Sequence, residues 1–305
     1  MRDKLFLMVF LLVLGAAWGV TQPLTKIAVS EDYRQFGLIF WQVSISTVIL
    51  GVICAVRKTA LPLGVRHIWA YVVIALIGTV LPNGASYQAM VHLPAGIVSI
   101  LLSLIPMIAF PMALALGNEH FRLRRLIGLT LGLIAVLLIT LPEASLPERA
   151  MLAVIPLALV APCLYAFEGN YVARWGTAGL DPFQVMFGAS IVGVFFTLPL
   201  AIWKGQFLVL QIPMGAPDVA ILVSSVVHAL TYTGYVWLIG RAGAVFAVQV
   251  SYPVTAFGLL WSMLLLGERY SVWVWAAFVV MIVGLTLVQP RPRLLDSAPT
   301  LRDTA

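Results

Sequence analysis

Ten long apolar runs follow one another at roughly 5–28, 36–56, 68–90, 95–117, 126–141, 151–174, 183–203, 217–240, 243–266 and 272–289, separated by short stretches of charge, Pro and Gly. A helix rising ~1.5 Å per residue needs ~20 residues to cross a hydrocarbon core of ~30 Å, and each run is close to that length. Lipid offers no hydrogen-bond partner to an open strand, and none of the runs alternates with the period of two that a membrane barrel requires, so all ten are expected to be helices. Of the 305 residues, 10% are charged and 62% hydrophobic, which is too little charge to cover a soluble surface. The expected fold class is therefore an all-α integral membrane protein with ten transmembrane helices. The first run is longer than the ~7–15 apolar residues of a secretory signal, so it is read as a helix of the fold.

The net charge of +6 is a topology signal, because the cations are scattered singly between apolar runs and do not form the basic face that a nucleic acid would need. With the amino terminus in the cytoplasm, the inner connections hold Arg2, Lys4, Arg57, Lys58, Arg66, Arg122, Arg124, Arg125, Arg174, Arg241, Arg291, Arg293 and Arg302. The outer side keeps Lys26, Arg34, Arg149, Lys204 and Arg269. Thirteen cations against five is a positive-inside bias, and it places both termini in the cytoplasm of a cell (inner) membrane protein. Cys54 and Cys163 lie in apolar stretches with no second ligand at metal spacing, so neither a disulfide framework nor a zinc site is expected.

The chain also resembles itself. Leu116, Gly117, Asn118, Glu119 and His120 before one apolar run recur as Leu266, Gly267, Glu268, Arg269 and Tyr270 before another. Upstream, Ala95 and Gly96 with Pro106 match Ala242 and Gly243 with Pro253 at an offset of 147 residues, and the two glutamates match at 149. Each half holds five runs, and five is odd, so the second half enters the bilayer upside down relative to the first. Inverted repeats of this kind let a transporter expose one midplane site to either face in turn. The expected organisation is a first repeat over 1–145, a second, inverted repeat over 146–290 and a disordered cytoplasmic tail over 291–305, with a central cavity between the repeats.

At these positions the sequence resembles the drug/metabolite transporter superfamily, and within it the EamA-type ten-helix transporters. Ala17, Trp18 and Gly19 in the first run, Lys26 near its end, and Leu93, Pro94, Ala95 and Gly96 opening the fourth add to the likeness. The resemblance covers Leu5 to Gln289. It implies a 5+5 bundle around a substrate cavity and a role in moving amino acids, other metabolites or drugs, usually outward. The aromatic interior is most similar to that of the YddG-type exporters of aromatic amino acids.

Polar groups inside the runs have two readings, as helix-to-helix hydrogen-bond glue or as the wall of a cavity. The candidates for substrate contact are Trp18, Gln22, Asn83, Tyr87, Ser99, Ser103, Tyr165, Glu168, His228, Tyr232, Gln249 and Tyr252, which all fall in spans 1, 3, 4, 6, 8 and 9. Trp69, Trp203, Trp273 and Trp275 lie near run ends, where tryptophan gathers at bilayer interfaces. Lys26 and Arg174 are also near run ends, and snorkelling accounts for them. Tyrosine and tryptophan offer flat faces with polar tips, which suits an amphipathic ligand. The first run has no acid such as a pump for lipophilic cations would place there, and buried bases are too few for a strongly anionic ligand. A zwitterionic or neutral solute fits best, an amino acid above others.

Pro106 and Pro253 remove backbone hydrogen bonds at repeat-related positions and are the expected hinges of alternating access. No glycine loop for phosphate is present and no set of nucleophile, base and acid converges, so neither a cofactor nor an enzymatic activity is expected. Partners reduce to the solute, the bilayer and, through Glu168 or His228, protons as a coupling ion, with the chain a monomer or weak homodimer. The competing readings are export of other solutes (nucleobases, drugs, nucleotide sugars) and a structural or sensory membrane protein without transport.

Overall fold

The structure, a computed structural model, describes residues 2–117, 120–142, 146–242 and 247–288. Glu119, Gly243 and the expected tail at 291–305 lie outside the described residues. Eight helical spans are long and apolar enough to cross a membrane: Leu5–Ser30, Gln35–Val56, Val65–His92, Ala95–Ala115, Leu123–Thr140, Arg149–Trp175, Pro182–Trp203 and Ala216–Leu238. Two shorter apolar helices, Ser251–Leu266 and Val272–Val288, complete the series. In chain order these are spans 1 to 10.

Prolines set the irregularities. Span 1 is interrupted at Val20, ahead of Pro23. In span 3 a π-turn at Leu76–Val80 precedes Pro82, which has no N–H to return to the carbonyl of Gly78 four residues back. Span 4 breaks at Ser103 and Leu104, and Pro106 sits in the first turn of its second segment, Ile105–Ala115. Span 9 begins with a 3-10 turn at Val248–Val250, and Pro253 sits in the next turn. The matching prolines of the two repeats thus lie just after matching breaks. At the far ends of the same spans, Gly117 (φ 69°) and Gly267 (φ 66°) take the left-handed conformation that closes a helix.

Packing reproduces the repeat. Span 1 packs against spans 8 and 9, span 2 against 7 and 8, span 3 against 6 and 7, span 4 against 6 and 9, and span 5 against 10. Exchanging each span with the one five further on turns 1–9 into 6–4, 1–8 into 6–3 and 2–8 into 7–3, and leaves 2–7, 4–9 and 5–10 unchanged. That is the contact pattern of a two-fold axis lying in the membrane plane. Spans 5 and 10 meet at small residues: a Cβ on Gly128 would lie 2.8 Å from the carbonyl oxygen of Gly284 and 2.6 Å from Cγ2 of Val288.

Both ends of the bundle are fastened. At one end, expected to be the outer one, the Tyr33 hydroxyl donates to Asp218 Oδ1 at 2.6 Å and the Trp41 indole to the Leu208 carbonyl at 3.1 Å. Burial and the Asp218 carboxylate push the Tyr33 phenol up to about 12. At the other end Asp181 caps span 7 through the N–H groups of Phe183 and Gln184, while Arg57 lies 3.3 Å from its carboxylate and over the Phe183 ring. Gln184 adds a bond to the Ala60 carbonyl at 2.6 Å. The Glu268 turn is at the first end and the Leu116–Gly117 turn at the second, which is what inversion of the repeat demands.

Candidate functional site

The midplane site is built where spans 1, 2, 3, 6, 7 and 8 converge. Asn83 Nδ2 donates to Gln42 Oε1 at 3.2 Å, the Tyr87 hydroxyl donates to the same oxygen at 2.5 Å, and the Tyr165 hydroxyl donates to Asn83 Oδ1 at 2.6 Å. The chain Tyr165, Asn83, Gln42, Tyr87 therefore ties spans 6, 3 and 2 together. With the Asn83 carbonyl oxygen turned to Tyr165, its amide nitrogen faces Gln42, whose own oxygen accepts from both Asn83 and Tyr87. A donor or acceptor left unmet at this depth costs ~1–3 kcal/mol, so removing one member penalises the others.

Two small voids flank Gln42. One leaves about 20 Å³ for the centre of a water molecule and is lined by Gln42, Ser46, Thr79, Ser190, His228 and Tyr232. The other leaves about 10 Å³, between Thr25, Gln42, Tyr87, Ser224 and Ser225. A water needs ~10–15 Å³ by this measure, so each holds one or so, whereas a small-molecule site spans ~300–1,000 Å³. Neither void is large enough for a solute, and Gln42 lines both of them.

Of the twelve sequence candidates, the structure brings Asn83, Tyr87 and Tyr165 into the hydrogen-bonded chain and His228 and Tyr232 onto the larger void. Trp18 joins them through its ring, whose edge meets that of His228 with centroids 5.8 Å apart. Glu168 is pressed against Gly78, within electrostatic reach of Tyr165 and Tyr232. Gln22 and Gln249 are half-buried and stand outside this chain. The Ser99 hydroxyl bonds to its own Ala95 carbonyl at 3.0 Å and abuts Gly258. Ser103 bonds to the Ile100 carbonyl at 2.6 Å, at the break in span 4. Tyr252 packs against the main apolar core within electrostatic reach of Arg124. Ser99, Ser103 and Tyr252 thus stand apart from the central group.

Three participants lie outside spans 1, 3, 4, 6, 8 and 9, where the sequence concentrates its polar groups. Span 2 contributes Gln42 and Ser46 and span 7 contributes Ser190. The signal is present in Gln42 and Ser46, four apart and so on one helical face, within an otherwise apolar run. Lys26 also differs from the snorkelling expectation: its Nζ donates to the carbonyls of Met90 at 2.7 Å and Val91 at 3.2 Å, capping the last turn of span 3.

Shortly past that cap, span 4 opens on a second anchor, built on a carboxylate within electrostatic reach of Lys26. The Glu268 carboxylate accepts the N–H groups of Ala95 at 2.7 Å and Gly96 at 3.2 Å, and the Tyr270 hydroxyl donates to it. Burial and that carboxylate hold the Tyr270 phenol well above its ordinary range, so it remains a donor. A Cβ on Gly96 would lie 2.0 Å from the Tyr270 hydroxyl, so this clasp requires glycine there. The residues that carry the internal repeat in the sequence are therefore, in this half, the two sides of one contact.

The family model of the EamA-like transporter family matches twice, over residues 5–141 and 152–289. An uncharacterized transporter of Bacillus subtilis (strain 168), YvbV, is 23% identical over 297 residues, which is 96% of this chain and 93% of that protein. A crystal structure of another protein shares the fold with a TM-score of 0.60 at 15% identity, covering 90% of this chain and 97% of that one. Two matches of one model, each holding five of the ten spans, join the inverted packing to a sequence family: the chain is a multi-pass membrane protein and belongs to the EamA-like transporter family.

Proposed function

We propose that this transporter exports small metabolites, amino acids including aromatic ones, by alternating access around the midplane site. The observation that carries the reading is the hydrogen-bonded chain Tyr165–Asn83–Gln42–Tyr87, a polar partition in an aromatic-lined centre. Amides and hydroxyls there exchange partners with the polar groups of a solute, while Trp18, Tyr165 and Tyr232 offer faces for a flat side chain. The likeness to YddG-type exporters favours the same solutes. In this reading residues 1–145 and 146–290 are the two moving repeats, Pro106 and Pro253 the bending points, and the fastened ends the gates, with both termini cytoplasmic.

The test is efflux from proteoliposomes preloaded with labelled Phe, Trp, Tyr, Met or Thr, against nucleobases and organic cations. Saturable efflux of an aromatic amino acid is expected, and flux of nucleobases or cations without amino acids refutes the substrate assignment. Absence of any saturable flux favours a structural or sensory role. The same assay with and without an imposed pH gradient decides proton coupling.

A further inference from the structure

Glu168 is an acid built into the membrane interior with no base assigned to it. Its carboxylate fits a notch on span 3: a Cβ on Gly78 would lie 2.1 Å from Oε1 and 2.5 Å from Cδ. The notch exists because residue 78 is glycine, and Gly78 lies in the π-turn that Pro82 imposes. Among the described residues no hydrogen bond or ion pair reaches the carboxylate. A carboxylate at this depth is expensive unless a cation or proton meets it, and one wedged against a helix cannot swing to the interface.

The surrounding groups leave that position open. Lys26 is committed to the carbonyls that end span 3. Arg174, on the same helix as Glu168, is exposed toward the Arg57 end of the bundle. Span 4, packed along span 6, has no ionisable residue between Ala95 and Ala115. On span 3, Tyr71 donates to the Pro62 carbonyl and Tyr87 to Gln42, while His67 and His92 lie near the span's ends. Across the cavity the His228 ring stands against Trp18, and the Tyr165 hydroxyl already serves Asn83. What remains is one carboxylate within electrostatic reach of Tyr165 and Tyr232, and its charge attracts an ammonium group.

We propose that Glu168, seated against Gly78, binds the primary ammonium group of the transported solute. This rests on the proposed transport function and narrows it: the site selects solutes that carry a free amine, whether or not they carry a carboxylate. Gly78 is a positioning residue, because a methyl group there evicts the carboxylate from its notch.

The test is binding to the full-length purified protein, read by ligand-induced thermal stabilisation, of four probes sharing one phenyl group: phenylalanine, phenethylamine, 3-phenylpropionate and 2-phenylethanol. Phenethylamine and phenylalanine are expected to bind, with the acid and the alcohol about ten- to a hundredfold weaker, as for loss of a charge-assisted bond. Glu168→Gln abolishes that preference, and Gly78→Ala weakens it while Glu168→Asp retains part of it. The comparison of probes on the parental protein needs no variant to fold. If the amine binds no better than the acid, or if a folded Glu168→Gln variant keeps the preference while losing only response to a pH gradient, the assignment is wrong. Amine binding without phenylalanine efflux instead defeats the amino-acid reading and leaves this one standing.

Discussion

Replacing Glu268 by alanine removes, in one step, the acceptor of the Ala95 and Gly96 N–H groups and of the Tyr270 hydroxyl. Hydrogen bonds to a charged partner contribute ~1.5–3 kcal/mol each, and loss of a helix N-cap costs ~0.5–2 kcal/mol. These terms describe overlapping contacts, so we take ~2–4 kcal/mol in total. At ~2–4 °C per kcal/mol the melting temperature in mild detergent should fall by about 4–16 °C. Glu268→Gln keeps an acceptor oxygen and should lose about half as much. Gly96→Ala meets the same contact from the other side, since its Cβ would lie 2.0 Å from the Tyr270 hydroxyl, and overpacking of this kind costs ~1–3 kcal/mol. Combining it with Tyr270→Ala, which vacates the space, should cost less than the sum of the single changes. If Glu268→Ala melts within about 1 °C of the parent, or if Gly96→Ala and Tyr270→Ala simply add, the clasp does not hold the two repeats together and the reasoning fails.

The same contacts predict other outcomes. The Tyr33 phenol should titrate near 12, where an ordinary tyrosine titrates near 10. Its folded value is raised, so its contribution is whole below pH ~10 and is lost as pH climbs through ~12; tyrosinate absorbance of the parent against Tyr33→Phe checks this, and titration near 10 contradicts the Asp218 bond. Asn83→Leu strands the Gln42 amide and the Tyr165 hydroxyl and should reduce efflux at least tenfold and stability by ~1–3 kcal/mol, whereas Ser99→Ala should leave the apparent KM unchanged. Gly128→Ala should destabilise by ~1–3 kcal/mol through its approach to Gly284, seen as a lower melting temperature. Pro106→Ala and Pro253→Ala should fold and transport more slowly; parental rates in both remove the hinge assignment.

The ten spans, their alternation and the doubled unit were legible from one strand of sequence because their causes are local or periodic. Bilayer thickness sets the length of an apolar run, proline interrupts a helix wherever it stands, and a repeat aligns with itself without any contact being known. What the sequence held back are pairings between distant residues. Gln42 looks like one amide in an apolar helix until span 3 brings Asn83 and Tyr87 to it, 41 and 45 residues away. Lys26 has the look of a snorkelling cation, yet it ends on carbonyls 64 and 65 residues further along. The matched motifs at Ala95–Gly96 and Glu268 announced a repeat, and only packing showed them to touch across 172 and 173 residues. Gly78 gave no sign of its use, because the absence of a side chain acquires meaning only from the Glu168 carboxylate that fills the space. Hydropathy is a property of each residue and can be read one position at a time; a satisfied hydrogen bond belongs to two, and which two was decided when the helices packed.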